Sequence, residues 1–299
     1  MQLFGELAAL TTAICWSFGT ILFGYAGRRV GSFTINTIRI TLAALLLAVG
    51  NLLIEGQILP AAYTYHQLLI LAISGVIGLT IGDGCYFKSL VILGPRISSL
   101  LTASAPIFAV VIAWIFVGQQ MSLLDLLGIV LTLAGISWVI LERNSNSFGA
   151  QPGGSKLLGY LLGIGGSLAQ AIALTMAKVG MGDNIPPLNA SFVRMVSATV
   201  AIWIIVSVTG RHSNIRRALW DGKAMAAIGT AAVIGPFFGI WLSLLSVQYT
   251  KIGIAATLMA TTPLFIIPMV MIIHKERPSL RAIIGKVTTV SGVVILFLF

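Results

Sequence analysis

The sequence predicts an all-α polytopic membrane protein of ten transmembrane helices, arranged as two inverted five-helix repeats. Three observations carry that prediction: an apolar composition, ten apolar runs of spanning length, and a second half that repeats the first. Of 299 residues, 58% are hydrophobic and 9% are charged, where a soluble domain carries about 25% charged residues. Such a surface suits hydrocarbon, not water. A spanning helix needs about 20 mainly apolar residues, and ten runs qualify: 3–24, 33–54, 66–87, 95–117, 122–141, 157–178, 188–208, 223–247, 251–273 and 279–299. The first lacks a basic leader and a small-residue cleavage site, so it is expected to stay as a span and not to be removed as a signal peptide. Short connections leave most of the chemistry to the spans.

Sliding the chain on itself by 157 residues aligns 76–135 with 233–292 without a gap. The pairs include Gly78/Gly235, Gly82/Gly239, Ser89/Ser246, Pro106/Pro263, Gly128/Gly285 and Gly135/Gly292. Small residues and prolines dominate, the types found where helices approach closely or bend. Weaker matches at offsets of 155 and 154 put Arg39 on Arg194 and Gly5 on Gly159. The expected organisation is a first repeat at 1–141, a polar linker "ERNSNSFGAQPGGSK" at 142–156, and a second repeat at 157–299.

Five spans per half is an odd number, so the halves enter the membrane with opposite orientation. The charges agree. Connections after odd-numbered spans hold thirteen Lys and Arg, among them Arg28, Arg29, Arg96, Arg143, Arg211, Arg216, Arg217 and Lys275, and those after even-numbered spans hold only Lys178 and Lys251. The positive-inside rule then makes the odd connections cytoplasmic and both termini outward. The net charge of +10 is read the same way, as a match to lipid headgroups and not to nucleic acid. Cys15 and Cys85 fall inside apolar runs as packing residues, and the sequence has no Cys/His metal spacing, so neither a metal nor another cofactor is expected.

The stretches "IGDGCYFKSLVILGPRISSLLTASAPIFAVVIAWIFVGQQMSLLDLLGIVLTLAGISWVIL" and "LLSVQYTKIGIAATLMATTPLFIIPMVMIIHKERPSLRAIIGKVTTVSGVVILF" resemble the ten-span bacterial exporters of the EamA type, within the drug/metabolite transporter superfamily. The shared pattern is an aromatic and small-residue end to the third span, a proline-containing fourth, then Gly-Glu-x-x-Ser and a glycine-containing fifth. Gln119 departs from it by replacing the usual glutamate, while Glu276 keeps it. The resemblance implies a central cavity lined by spans 1, 3, 6 and 8, a bacterial inner-membrane location, and a small-molecule substrate. A monomer in the bilayer is expected.

Asp83 is the leading candidate for chemistry, because a carboxylate within a span costs about 2.5–3.5 kcal/mol on insertion scales. It reads either as a contact for a substrate ammonium or a proton, or as a structural partner of Arg39 or Lys88. Arg39 and Arg194 occupy matching positions in spans 2 and 7, which suits a scaffold role or recognition of a carboxylate. Glu6 reads as a boundary residue. Trp16, Tyr86, Gln170, Trp241 and Gln248 offer apolar faces with polar tips, as a small-molecule site does. Trp16 and Gln170 are equivalent at an offset of 154. Pro106 and Pro263, at matching mid-span positions, are expected to kink their helices and to act as paired gates or plain bends. His66, His212 and His274 lie at span ends, a poor place for a proton relay.

The expected function is secondary export of small metabolites, with amino acids and related amphipathic compounds leading, by alternating access across the inner membrane. Flipping of lipid-linked sugars and multidrug or nucleotide-sugar exchange are the alternatives. No Walker motif appears, and the chain lacks the clustered nucleophiles or paired carboxylates of an intramembrane enzyme.

Overall fold

The computed structural model describes residues 2–58, 63–142, 155–266 and 280–298. The predicted linker therefore lies almost wholly outside the described residues, as do Arg143, His274, Lys275, Glu276 and Arg277.

Every regular element among the described residues is helical. In chain order these are α1 Gln2–Val30, α2 Ser32–Glu55, α3 Tyr65–Gly75, α4 Asp83–Thr102, α5 Ala105–Val117, α6 Leu123–Glu142 and α7 Lys156–Met181. There follow α8 Pro187–Thr209, α9 His212–Leu219, α10 Gly222–Ala232, α11 Ile240–Tyr249, α12 Ile252–Met259 and α13 Leu280–Leu298. Two π-helical segments, Val76–Gly82 and Val233–Gly239, join α3 to α4 and α10 to α11.

Seven helices among the described residues are long and apolar enough to cross a membrane: Gln2–Gly27, Ser32–Glu55, Tyr65–Ser89, Leu100–Val117, Lys156–Met181, Pro187–Thr209 and Gly222–Tyr249. Three shorter apolar helices, Leu123–Trp138, Ile252–Ile266 and Ile284–Leu298, fall in the other three predicted runs. A helix satisfies its own backbone donors and acceptors, which hydrocarbon requires. Large apolar side chains such as Leu53, Phe116 and Val208 accordingly point outward. Helix ends carry local signals. Thr64 caps α3 by accepting from Gln67 N, while Gln67 Oε1 accepts from Thr64 N at 3.0 Å, a reciprocal capping box. Gly118 ends α5 at φ 69°, a left-handed conformation that a side chain would strain.

The two prolines lie just after matched interruptions of their helices. Pro106 is the second residue of α5, after a break at Ala103–Ser104, and Pro263 is the second residue of the helical stretch 262–266, after a break at Ala260–Thr261. The apolar helices Leu100–Val117 and Ile252–Ile266 each run through such a break, with Ser104 and Ala260 still in helical conformation. Each proline sits in a first turn, where the missing N–H has no intrahelical acceptor to lose. The turn expected between spans 3 and 4 is wound from helical turns: the Ser89 and Ser98 hydroxyls are hydrogen-bonded at 3.1 Å. Nine residues of straight helix rise about 13.5 Å, so the chain doubles back between them.

The helices pack in antiparallel pairs. Asn189 donates to Asn51 at 2.5 Å at one end of the α2/α8 pair, and Trp203 donates to Thr41 at 3.0 Å nearer the other. The numbering therefore rises on one helix as it falls on the other. In the α6/α13 pair, a Cβ placed on Gly128 would meet Leu296 Cγ at 2.8 Å and Gly292 O at 3.1 Å, and one on Gly135 would meet Thr289 N at 2.5 Å and Gly285 O at 2.6 Å. Only hydrogen at these positions lets the backbones come so close.

The remaining close approaches correspond across the two halves. Gly82 faces Gln170 and Ala169, while Gly239 faces Trp16 and Cys15; Gly78 faces Ala173, while Gly235 faces Gly19. Further along, Gly159 abuts Ile92 and Leu93, while Gly5 abuts Tyr249 and Thr250. These contacts reproduce the offsets of 154 and 157 together. At a helix end outside the spans, Arg29 Nε donates to Asp221 Oδ2 at 2.8 Å. That bond, with the Ala224 N–H that Asp221 also accepts, holds the Asp221 carboxyl below the usual carboxylate range.

Candidate functional site

The two π-helical segments share the pattern V-I-G-x-x-x-G and are equivalent at an offset of 157. Pro236 contributes to the second, because its missing N–H removes one helical bond. The first has Leu79 in its place and is pressed against its neighbours by glycine: a Cβ on Gly75 would lie 2.2 Å from Arg194 O and one on Gly78 2.8 Å from Ala173 Cβ. π-helical turns are frequent at functional sites. Here the first one delivers Asp83.

Asp83 opens α4 and is hydrogen-bonded and ion-paired through Oδ2 with Arg39 Nη2 of α2. Its Oδ1 accepts from Gln170 Nε2 of α7 at 2.7 Å, and the same amide nitrogen donates to Gly78 O at 3.1 Å. Arg39 is held from three sides. Its Nε donates to Asn36 Oδ1 at 2.8 Å, and its guanidinium lies 5.5 Å from the Phe23 ring centroid and 5.1 Å from that of Phe87. The side chains of Arg39 and Asp83 are 11% and 16% exposed, so the pair is nearly desolvated. Breaking such a pair costs far more than forming it gains. Arg194 of α8 is deeper, at 4% exposed, and its Nη2 faces Gly78, whose carbonyl accepts from Gln170.

Of the residues singled out in the sequence, Asp83 and Gln170 meet directly. Tyr86 stands one turn beyond Asp83, with its ring 5.4 Å from that of Phe87, the ring that stacks on Arg39. Trp16 does not reach Asp83; it occupies the equivalent of the Gln170 position, its indole against Gly239. Trp241 packs with Phe237 and Phe238 in the cluster that holds Ile40 and Leu79. Gln248 lies apart. It is eight residues past Ile240, about 12 Å along the helix, and its backbone carbonyl accepts from Lys178 Nζ at 2.9 Å. Lys88 is not the partner of Asp83; Arg39 is.

Two outer grooves, of about 450 and 470 Å³, are lined by one face of α13 and one face of α8, and neither includes a residue of the Asp83 cluster. Small residues bring the first π-helical segment and α7 together beside it, Gly78 against Ala173 and Gly82 against Gln170.

Sequence reasoning missed a second polar centre. Asp125, 1% exposed, binds Lys251 at 2.5 Å and accepts from Ser122 N at 2.8 Å, while Asp125 N donates to Ser122 Oγ at 3.0 Å. The S-x-x-D spacing was the available signal. Gln119, noted only as a lost glutamate, accepts from Ile252 N at 3.0 Å and caps α12. Glu6 is buried and accepts from Gln2 Nε2 at 2.9 Å.

A bundle of apolar helices enclosing a carboxylate–guanidinium cluster is a multi-pass membrane protein whose interior carries polar chemistry. Residues 3–141 and 157–298 each match the EamA-like transporter family, and the chain belongs to that family. It is similar, at 26% identity over 98% of this chain and 97% of the relative, to an uncharacterized transporter of Archaeoglobus fulgidus. A crystal structure with 17% identity shares the fold at a TM-score of 0.72, over 97% of this chain and 95% of that one. The protein is a membrane transporter.

Proposed function

We propose that the protein is a secondary exporter of small amphipathic metabolites, with amino acids the leading class, working by alternating access between two inverted five-span repeats in a bacterial inner membrane. The observation that carries this is the matched pair of π-helical segments, each on a helix that crosses to the opposite half, with the buried Asp83 cluster at one of them. Inversion is supported by direction: α2 and α8 are equivalents and run antiparallel, as do α6 and α13. Parallel repeats would have made each of these pairs parallel. The ten-span count adds the three shorter apolar helices to the seven long ones. Alternating access then exchanges the environments of the two halves about the central helices, and the helix breaks before Pro106 and Pro263 are the matched places where each half can bend.

Counterflow in proteoliposomes with labelled amino acids, amines and nucleotides, with and without an imposed pH gradient, tests the reading. Accumulation of at least one amino acid is expected. If none of the panel moves while a lipid-linked sugar is flipped, the exporter reading fails. The orientation has its own check, because thirteen of fifteen basic residues in the connections fall in the odd-numbered ones. Alkaline phosphatase fused after Phe299 is expected to be active, and a fluorescent, phosphatase-negative C-terminal fusion would reverse the assignment.

A further inference from the structure

We propose that Arg194 is the anchor for a carboxylate group of the transported solute. The inference rests on the transporter reading above and adds the chemistry of the recognised group.

The argument begins with charge. Two guanidinium groups, Arg39 and Arg194, and one carboxylate, Asp83, lie about the first π-helical segment, and an arginine does not shed its proton in a protein interior. Asp83 is committed to Arg39 through an ion pair and to Gln170 through a 2.7 Å bond. Arg194 is left over. It is 96% buried, and its Nε has no hydrogen-bond partner among the described residues. A buried charged donor without a partner is costly, so a fold that keeps one has placed it where another group supplies the acceptor.

The position fits an acceptor that comes and goes. Arg194 lies across the first π-helical segment, and a Cβ added to Gly78 would stand 3.4 Å from Arg194 Nη2 and 3.6 Å from Gln170 Oε1. The guanidinium and the amide that holds Asp83 thus reach the same glycine face from α8 and α7. A ligand carboxylate beside that face meets the planar fork that binds carboxylates bidentately, and it neutralises the excess positive charge. A ligand ammonium would add a third cation to a centre already in excess. Arg39 is unsuited to the task, since its Nε and Nη2 are already bonded and the Phe23 and Phe87 rings lie against its guanidinium.

The test uses three matched probes: phenylalanine, 3-phenylpropionate, which lacks the amine, and 2-phenylethylamine, which lacks the carboxylate. Binding is measured by calorimetry on purified full-length protein in detergent, beside counterflow in proteoliposomes. Both carboxylates, or one of them, are expected to bind at least tenfold more tightly than the amine; which one does tells a zwitterionic substrate from a simple organic acid. Arg194→Gln is expected to lose that affinity by tenfold or more while its unfolding temperature holds or rises, because it removes an unpartnered buried charge. Arg194→Lys, which keeps the charge without the fork, should recover only part of the binding. A merely structural arginine gives the reverse, a lower unfolding temperature with affinity intact, and that result overturns the proposal. So does tighter binding of the amine, or binding of neither carboxylate. If the amine alone moves in counterflow, the transporter reading survives and this inference does not. If the carboxylates bind and nothing is transported, the anchor stands and the transporter reading falls.

Discussion

Gly135→Ala is expected to lower the unfolding temperature of the purified protein by several degrees, and Gly135→Leu to prevent accumulation of folded protein. The reason is geometric. A Cβ at Gly135 would lie 2.5 Å from Thr289 N and 2.6 Å from Gly285 O, and both obstacles are backbone atoms that no rotamer change can move. Restoring van der Waals separation drives α6 and α13 apart by about 1 Å, which forfeits dispersion along the seam; overpacking of this kind costs about 1–3 kcal/mol, sometimes more. Gly165→Ala and Gly24→Ala are the controls, because a Cβ at either meets nothing within 4 Å and alanine favours the helix by up to about 1 kcal/mol. The controls should match or exceed wild type. Equal unfolding temperatures for Gly135→Ala and Gly165→Ala would remove the close approach as a source of stability.

That these glycines mark close approach was legible in the sequence; that they face one another across α6 and α13 was not. Gly128, Gly135, Gly285 and Gly292 recur at a fixed offset, but which helices they join is set by how the helices pack. The equivalence of Trp16 and Gln170 was legible in the same way, and it appears as matching contacts with Gly239 and Gly82. A proline in an apolar run, such as Pro106, gives no sign of whether the helix bends through it or restarts just before it. The restart follows the break at Ala103–Ser104, which no local preference announces. Partners of charges were illegible for a different reason. Asp83 and Arg39 are 44 residues apart, and Asn51 and Asn189 are 138 apart; such pairs are chosen by how helices cross. At Gln248 the backbone carbonyl accepts from Lys178, while the buried side-chain Oε1 has no hydrogen-bond partner among the described residues.

Asp83→Asn is expected to cut transport at least tenfold and to lower the unfolding temperature as well, and these two effects separate in a double variant. Asparagine keeps an oxygen for the Gln170 bond but loses the negative charge, leaving Arg39 and Arg194 as two buried cations with no anion between them. Removing one partner of a buried pair typically costs about 3–5 kcal/mol, because the other charge stays desolvated and unpaired. Arg39 cannot escape to water, since Asn36 holds its Nε and the rings of Phe23 and Phe87 flank it. Adding Arg39→Gln to Asp83→Asn removes the stranded charge, so the unfolding temperature should recover in part, with coupling of about 0.5–3 kcal/mol for residues in direct contact. Transport should not recover. A neutral pair can fill the space, but it cannot hold Gln170 and the π-helical segment against a charged group as the ion pair does. Full recovery of transport in the double variant would make Asp83 and Arg39 a structural brace and move the site elsewhere among α1, α7 and α11. Wild-type transport by Asp83→Asn alone would exclude the carboxylate from the mechanism outright.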